Sequence, residues 1–242
     1  MSVSTANKTM PKKRSKRYQQ AAALVEEGKK YSLAEAASLL KKFPGVKFDE
    51  RVTLSFRLGV DPRKADQMVR GTCPLPHGSG KDVKVVVFAQ GEAAIAAKNA
   101  GADHVGYEDM VKKIREGFYD FDAAIATPEA MAEVRKLGKQ LGPRGLMPNP
   151  KTGTVTEDTA AAVQAVKAGK IDFKVDRNAN VAVPVANVTF EEGKISDNAE
   201  AVIKAVVGAK PPGAKGNYIH SITLAASMSP GIKLDPAAYV TA

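Results

Sequence analysis

The hydrophobic residues of this chain follow two different periods, and that change limits the folds open to it more than any other feature. Val52, Leu54, Phe56 and Leu58 alternate with Thr53, Ser55 and Arg57, the two-residue repeat of a strand with one buried and one solvated face. Such a strand belongs in an antiparallel sheet. Further on, Val83-Lys84-Val85-Val86-Val87-Phe88 and Phe121-Asp122-Ala123-Ala124-Ile125-Ala126 are nearly continuous apolar runs, which suit strands buried on both faces.

Helix signals separate the continuous runs. Glu92 to Asn99 is alanine-rich and stops at Gly101, Tyr107 to Glu116 stops at Gly117, and Thr127 reads as an N-cap with Pro128 at the first position of a helix reaching about Gln140. Strands alternating with helices imply parallel pairing. Toward the C-terminus the strand candidates are Phe173 to Asp176, Asn180 to Val185 and Tyr218 to Ala226. Ser32 with Glu35 forms a capping box for a helix to Lys42, and Asp197 with Glu200 is expected to repeat it for a helix reaching about Gly208. The expected architecture is one α+β sheet domain built from both termini, residues 1–78 plus 170–242, with an α/β domain of residues 79–169 inserted into it. The chain then crosses twice, at glycine-bearing turns where Gly78, Gly80 and Gly169 are candidate hinge residues.

Charge divides along the same cuts. The chain carries 36 Lys and Arg against 26 Asp and Glu, net +10. Residues 79–169 hold 12 of each sign, so the outer pieces carry 24 against 14, the whole excess. A basic domain of this kind suits a polyanionic partner. The N-terminal segment has no apolar core after its charges, so it does not read as a secretory signal, and no stretch is long and apolar enough to cross a bilayer. The Asn187-Val188-Thr189 sequon is then expected to be fortuitous.

Catalytic chemistry finds little footing. There is no GxxxxGK[ST] run, no GxGxxG after a strand, no HExxH and no GxSxG, and His77, His104 and His220 are scattered. The single Cys73 reads as a small buried residue, not a nucleophile or zinc ligand. Neither metal nor cofactor is expected. One stretch stands out, residues 141–154, LGPRGLMPNPKTGT, whose three prolines and three glycines forbid a regular helix or central strand. It is expected to be a stiffened loop carrying Gly142, Arg144, Gly145, Asn149 and Lys151 near the domain junction.

This loop resembles closely the signature of the L-one family of large-subunit ribosomal proteins, which build the mobile stalk beside the transfer-RNA exit site. Lys47-Phe48-Asp49-Glu50, LGVDPRKADQMVRGT from Leu58 to Thr72, LPHGSGK from Leu75 to Lys81 and the spacing around Phe121-Asp122 extend the likeness from about Arg17 to Asp235. The resemblance implies two domains, a split α+β domain that grips RNA and an inserted Rossmann-like three-layer α/β domain. It implies RNA-binding roles for Lys47, Phe48, Asp49, Glu50, Lys174, Asp176, Arg177, Ser221, Ser227 and Met228. A Thr-Met-Gly turn of the family aligns with Ser227-Met228-Ser229, so serine replaces glycine at Ser229. The special backbone of that glycine is expected to pass to Gly231. The implied partners are large-subunit ribosomal RNA, transiently the exit-site transfer RNA, and the leader of the protein's own operon messenger RNA, bound by a monomer within the cytoplasmic ribosome.

Two rivals follow from the residues alone. An α/β domain hosts many sugar- and nucleotide-processing enzymes, against which stand the neutral middle piece and the missing phosphate loop. The basic run Lys12, Lys13, Arg14, Lys16 and Arg17 would also serve a DNA-binding protein.

Overall fold

The computed structural model describes residues 14–214 and 216–240, with the backbone alone for Lys151 and Val240. In chain order the elements are α1 (Lys16–Ala23), α2 (Leu33–Lys41), β1 (Arg51–Leu58), β2 (Arg70–Pro74), β3 (Val85–Phe88), α3 (Gly91–Asn99), β4 (His104–Gly106), α4 (Glu108–Arg115), β5 (Ala123–Ala126), α5 (Met131–Val134) and α6 (Gly138–Leu141). There follow α7 (Thr159–Lys167), β6 (Lys170–Lys174), β7 (Asn180–Asn187), α8 (Glu192–Gly208), β8 (Ile219–Ala226), β9 (Ile232–Leu234) and α9 (Ala237–Val240).

The two hydrophobic periods build two different sheets. Strand β1 buries Val52, Leu54, Phe56 and Leu58 and leaves Arg51, Thr53, Ser55 and Arg57 on the other face. It is the second strand of an antiparallel sheet ordered β7-β1-β8-β9, which joins residues from both ends of the chain. Helices α2 and α8 cover only its apolar face. In α2 the buried residues Leu33, Ala36, Ala37 and Leu40 recur at helical spacing. The Ser32 and Glu35 capping box closes its first turn as the sequence requires, a device of about 1 kcal/mol.

The continuous runs form the parallel sheet β4-β3-β5, extended by one bridge from Ala126 to Val155. Val85, Val87 and Ile125 pack under α3 and α7, whereas Val86, Phe88, Ala124 and Ala126 pack under α4, α5 and α6. This is a three-layer α/β domain, and its two clusters share no residue with the split domain's core. The expected fold class, a split α+β domain with an inserted Rossmann-like domain, is the one observed.

Three local expectations are corrected. Asp197 opens no helix, because α8 already begins at Glu192 with Glu191 at its cap. Burying Ile195 ahead of Asp197 extends the apolar stripe Ile195, Ala199, Val202 and Val206, and that burial outweighs a capping preference of about 1 kcal/mol. The helix expected from Pro128 to Gln140 is broken into α5, a 3-10 turn over Arg135–Leu137 and α6. Its buried residues Met131, Val134 and Leu137 are spaced by three, the repeat of a 3-10 helix. The strand expected at Phe173 to Asp176 lies instead at Lys170–Lys174, and Asp176 shapes the following turn.

The two chain crossings run side by side. Strands β2 and β6 form an antiparallel ribbon from Arg70 opposite Lys174 to Pro74 opposite Lys170, prolonged by the Leu75 amide donating to the Gly169 carbonyl at 3.3 Å. Gly78, Gly80 and Gly169 all adopt positive φ, of 70°, 71° and 99°.

Candidate nucleic-acid interface

The face of the antiparallel sheet that no helix among the described residues covers collects small hydroxyls and cations. Register sets Ser55 between Ala182 and Thr223, and Arg57 between Asn180 and Ser221, while Thr223 also faces Lys233. Period-two alternation forces all of these onto the side opposite Phe56 and Leu54. Ser221 is thus one of a row, and Thr53, Ser55, Arg57, Thr223 and Lys233 accompany it. The alternation already contained this row, but its use depends on no helix covering that face.

At the Arg51 end of β1 two turns are wired together. The Met228 amide donates to a Glu50 carboxylate oxygen at 2.9 Å, and the Arg51 amide donates to Ser227 Oγ at 3.1 Å, whose hydroxyl donates back to the Arg51 carbonyl at 3.3 Å. Arg17 donates to the Met228 carbonyl at 2.8 Å and to the Pro44 carbonyl at 3.4 Å. No local pattern could have found that contact, since the partners lie 211 residues apart. Held by these bonds, Phe48 and Met228 stand out at 55% and 52% exposure, and Lys47 and Asp49 are exposed beside Phe48. Core packing for Phe48, the ordinary lot of a phenylalanine, is excluded. Glu50 is only 7% exposed, so its carboxylate orders the turn.

Ser229 takes no special backbone. Its hydroxyl accepts the Ala226 amide at 2.9 Å and donates to the Pro230 carbonyl at 3.0 Å, closing the turn through its side chain. Nor does Gly231 inherit a positive φ, contrary to expectation. What it supplies is room, for a Cβ there would come within 2.7 Å of Thr223 Cγ2.

The other implied residues lie at the far end of the sheet, about 20 Å away along six residues of β1. Lys174, Asp176 and Arg177 are exposed. The Asp176 carboxylate accepts the Asn180 and Asn178 amides at 2.7 and 2.8 Å, and these bonds, Asn180 first, hold it below the usual carboxylate range. Ala179 in this turn sits at φ 61°. Between the turn and Pro62, Arg63 and Met68 runs a groove of about 780 Å³. Arg63 and Met68 were not singled out in the sequence, having no periodic signal.

The proline-rich loop is ordered by its own groups. The Asn149 amide donates to Thr154 Oγ1 at 2.8 Å and its carbonyl accepts from Thr152 and Thr154. Gly145 takes φ 73°, and Gly142 caps α6 where a Cβ would approach the Gly138 carbonyl to 2.6 Å. Pro150–Thr152 form a short 3-10 turn within the loop, and Lys170 Nζ donates to the Thr152 carbonyl at 2.9 Å. This end of the loop therefore touches the crossing ribbon. Arg144 stacks over the Tyr119 ring at 3.9 Å. The side chain of Lys151 lies outside the described residues, as do Lys12 and Lys13.

At the crossing, the fully buried Asn198 donates to the Gly78 and Val185 carbonyls at 2.9 and 2.8 Å and accepts the His77 amide at 3.1 Å. Asp197 meets His77 Nε2 at 2.9 Å, and Asn187 donates to the Gly80 carbonyl at 3.1 Å. The Gly78 and Gly80 carbonyls are thus both held by side chains of the split domain. Among the described residues no cluster of His, Cys, Asp and Glu could hold a metal ion. Cys73 is buried, and that burial pushes its thiol up.

The model of the ribosomal protein L1p/L10e family matches residues 40–230. The chain belongs to this family. Proteins named large ribosomal subunit protein uL1 are similar over nearly their whole length. That of Thermobifida fusca is 54% identical over 93% of this chain and 95% of its own. That of Saccharopolyspora erythraea is 53% identical over 93% and 94%, and that of Lactobacillus delbrueckii subsp. bulgaricus 52% identical over 96% and 100%. A ribosomal L1p/L10e protein is a structural component, and this chain is not an enzyme.

Proposed function

We propose that this protein is a structural constituent of the large ribosomal subunit in the cytoplasm, and that its split domain binds large-subunit ribosomal RNA across the uncovered sheet face. The observation that carries this reading is the Phe48 and Met228 pair, two large apolar side chains exposed on a wired double turn beside a row of hydroxyls and cations. An A-form RNA helix presents 2′-hydroxyls and sugars in a wide minor groove, and recognition there is by shape. Ser55, Thr223 and Ser221 offer hydroxyl partners, Phe48 and Met228 offer apolar contact to sugars or bases, and Lys47, Arg57, Lys174 and Arg177 neutralise phosphates. Asp49, exposed between Phe48 and Glu50, and Asp176, within its turn, act by limiting how phosphates approach.

We assign residues 1–78 plus 170–242 to this domain and 79–169 to the inserted one, with the pivot at Gly78, Gly80 and Gly169, which all take positive φ at the crossing. The inserted domain would swing on that pivot, meet departing transfer RNA at the exit site and assist its release. Binding to the leader of the operon messenger RNA, with repression of its translation, would use the same sheet face. The protein would act as a monomer within the ribosome.

The test compares a transcript of the ribosomal stalk segment with duplex DNA of equal length. The wild type should prefer the RNA, and Met228→Ala should remove most of that preference. Equal binding of the two polyanions would refute the reading and favour a general nucleic-acid binder.

A further inference from the structure

The sequence offers Lys12, Lys13, Arg14, Lys16 and Arg17 as one basic run, yet Arg17, its last member, is engaged with the protein itself. Helix α1 opens at Ser15, whose hydroxyl accepts the Tyr18 amide at 3.3 Å, and the buried Ala21 ties the helix to the fold. Arg17 lies in the first turn and is half-buried. One guanidinium nitrogen donates to the Met228 carbonyl at 2.8 Å and the other to the Pro44 carbonyl at 3.4 Å. These two carbonyls belong to the two turns that carry Met228 and Phe48.

At Met228 the bond completes a clamp. The peptide before its Cα is held where the Met228 amide donates to Glu50 at 2.9 Å. The peptide after it is held at its oxygen by Arg17 and at its nitrogen by the Ala226 carbonyl, which accepts the Ser229 amide at 3.2 Å. A peptide unit is planar, so fixing the two that flank a Cα fixes φ and ψ there, and with them the direction of the side chain. The Pro44 bond has the corresponding effect on Phe48. Among the described residues, positions 45–49 make no backbone hydrogen bond. This segment is held instead at its ends, at Pro44 by Arg17 and at Glu50 by the Met228 amide and by the Val188 amide, which donates to the Glu50 carbonyl at 2.9 Å. Both ends of the Phe48 turn are thus tied to the Met228 turn, one through Arg17 and one through Glu50.

We propose that Arg17 is a positioning residue of the RNA site, a fork that sets Phe48 and Met228 relative to each other, and that its charge serves peptide carbonyls and not phosphate. The assignment rests on the proposed function above and names the residue that organises that face before RNA arrives. A planar guanidinium presents its donors in a fixed geometry and can bridge two acceptors at a set angle, whereas an ammonium on a flexible stem is a point charge and cannot. Apolar side chains on unsupported turns sample many directions, and ordering them on binding lowers affinity. Arg17 orders them in advance. Water can take the place of the guanidinium at the exposed Met228 carbonyl, so losing Arg17 leaves the fold standing and loosens the two turns.

The experiment measures the affinity of the full-length protein for a transcript of the ribosomal stalk segment over a range of KCl, with duplex DNA of equal length as the non-specific reference. Arg17→Met should lower RNA affinity roughly tenfold and leave the salt slope within about 0.3 of wild type, whereas Lys47→Ala makes it shallower by about one. Arg17→Lys keeps the charge without the fork, so it should lose nearly as much RNA affinity as Arg17→Met while binding DNA as the wild type does. In a Met228→Ala background, Arg17→Met should cost no more than about threefold, because much of what it positions is already gone. Wild-type affinity in Arg17→Lys, together with a slope shallower by about one in Arg17→Met, would make Arg17 a phosphate contact and overturn the proposal. So would an equal loss on Arg17→Met with and without the Met228 side chain, which would place its effect elsewhere. Should Arg17→Met fail to fold in thermal melting, Arg17→Lys decides alone, and full RNA affinity there overturns the proposal. A wild type that shows no preference for the stalk RNA over DNA would instead sink the proposed function itself.

Discussion

The two domains reach their surfaces by opposite routes. The split domain has a sheet with one face left bare, so its outward residues are set by strand alternation and its excess charge spreads over a broad surface. The inserted domain covers both faces of its sheet, so its surface is made of the outer faces and ends of helices and of loops. Its charges sort by helix direction, acidic in the first turns of α3 and α4 and basic in their last turns, and cancel in the sum. A net charge of zero therefore does not imply an inert surface when the architecture is parallel.

The contrast breaks most visibly if the domains are separated. Rejoined residues 1–78 and 170–242 should keep most of the affinity for the stalk transcript, while residues 79–169 alone should bind about a thousandfold more weakly, as non-specific contacts do. Comparable affinity of the two pieces in a filter-binding assay would undo the division of labour.

Next in size is the joint. Asn198→Leu leaves the Gly78 and Val185 carbonyls and the His77 amide without partners in a buried place, which should cost about 3 kcal/mol in urea unfolding. Thr159 is the corresponding buried polar residue of the inserted domain, with one hydrogen bond to the Ala93 carbonyl at 2.7 Å, and Thr159→Val should cost only about 1 kcal/mol. Equal losses would mean that the joint is no more tightly specified than the helix contact.

Within the split domain, contact types should separate. Met228→Ala should weaken stalk-RNA binding by about 1 to 3 kcal/mol with little change in salt slope, whereas Lys47→Ala should lower the slope by about one. Matching slope losses in the two variants would show that Met228 acts only through the charges around it.

The smallest effect concerns the Asp176 turn. Its carboxylate is depressed by accepting the Asn180 and Asn178 amides, so its stabilisation is present above the ordinary carboxylate range and lost as pH falls through the lower folded value. The stability gap between wild type and Asp176→Asn should be measurable near pH 7 and close toward about pH 3. A gap that persists in acid would point to the shape of the turn and not to the ionised oxygen.

Much of this protein was decided by its sequence. Period-two alternation at Val52 to Leu58 and the unbroken runs at Val83 and Phe121 determined two sheet types, because side-chain direction in a strand follows from the backbone alone. The Ser32 box and the glycine stops at Gly101 and Gly117 are equally local, since caps satisfy groups within one turn. The motifs at Lys47 to Glu50 and Leu141 to Thr154 marked the family that the relatives bear out. Tertiary structure decided the rest. Asp197 has the chemistry of a cap, yet the burial of Ile195 carries α8 past it. Glu50 and Phe48 are two residues apart, and only the fold shows one turned inward to hold Met228 and the other turned out. Arg17 reaches Met228 across nearly the whole chain, and the Arg144–Tyr119 stack ties the proline-rich loop to the segment that follows α4. Such contacts join residues remote in sequence, and their energies depend on which groups share a buried or solvated place, something only the folded chain determines.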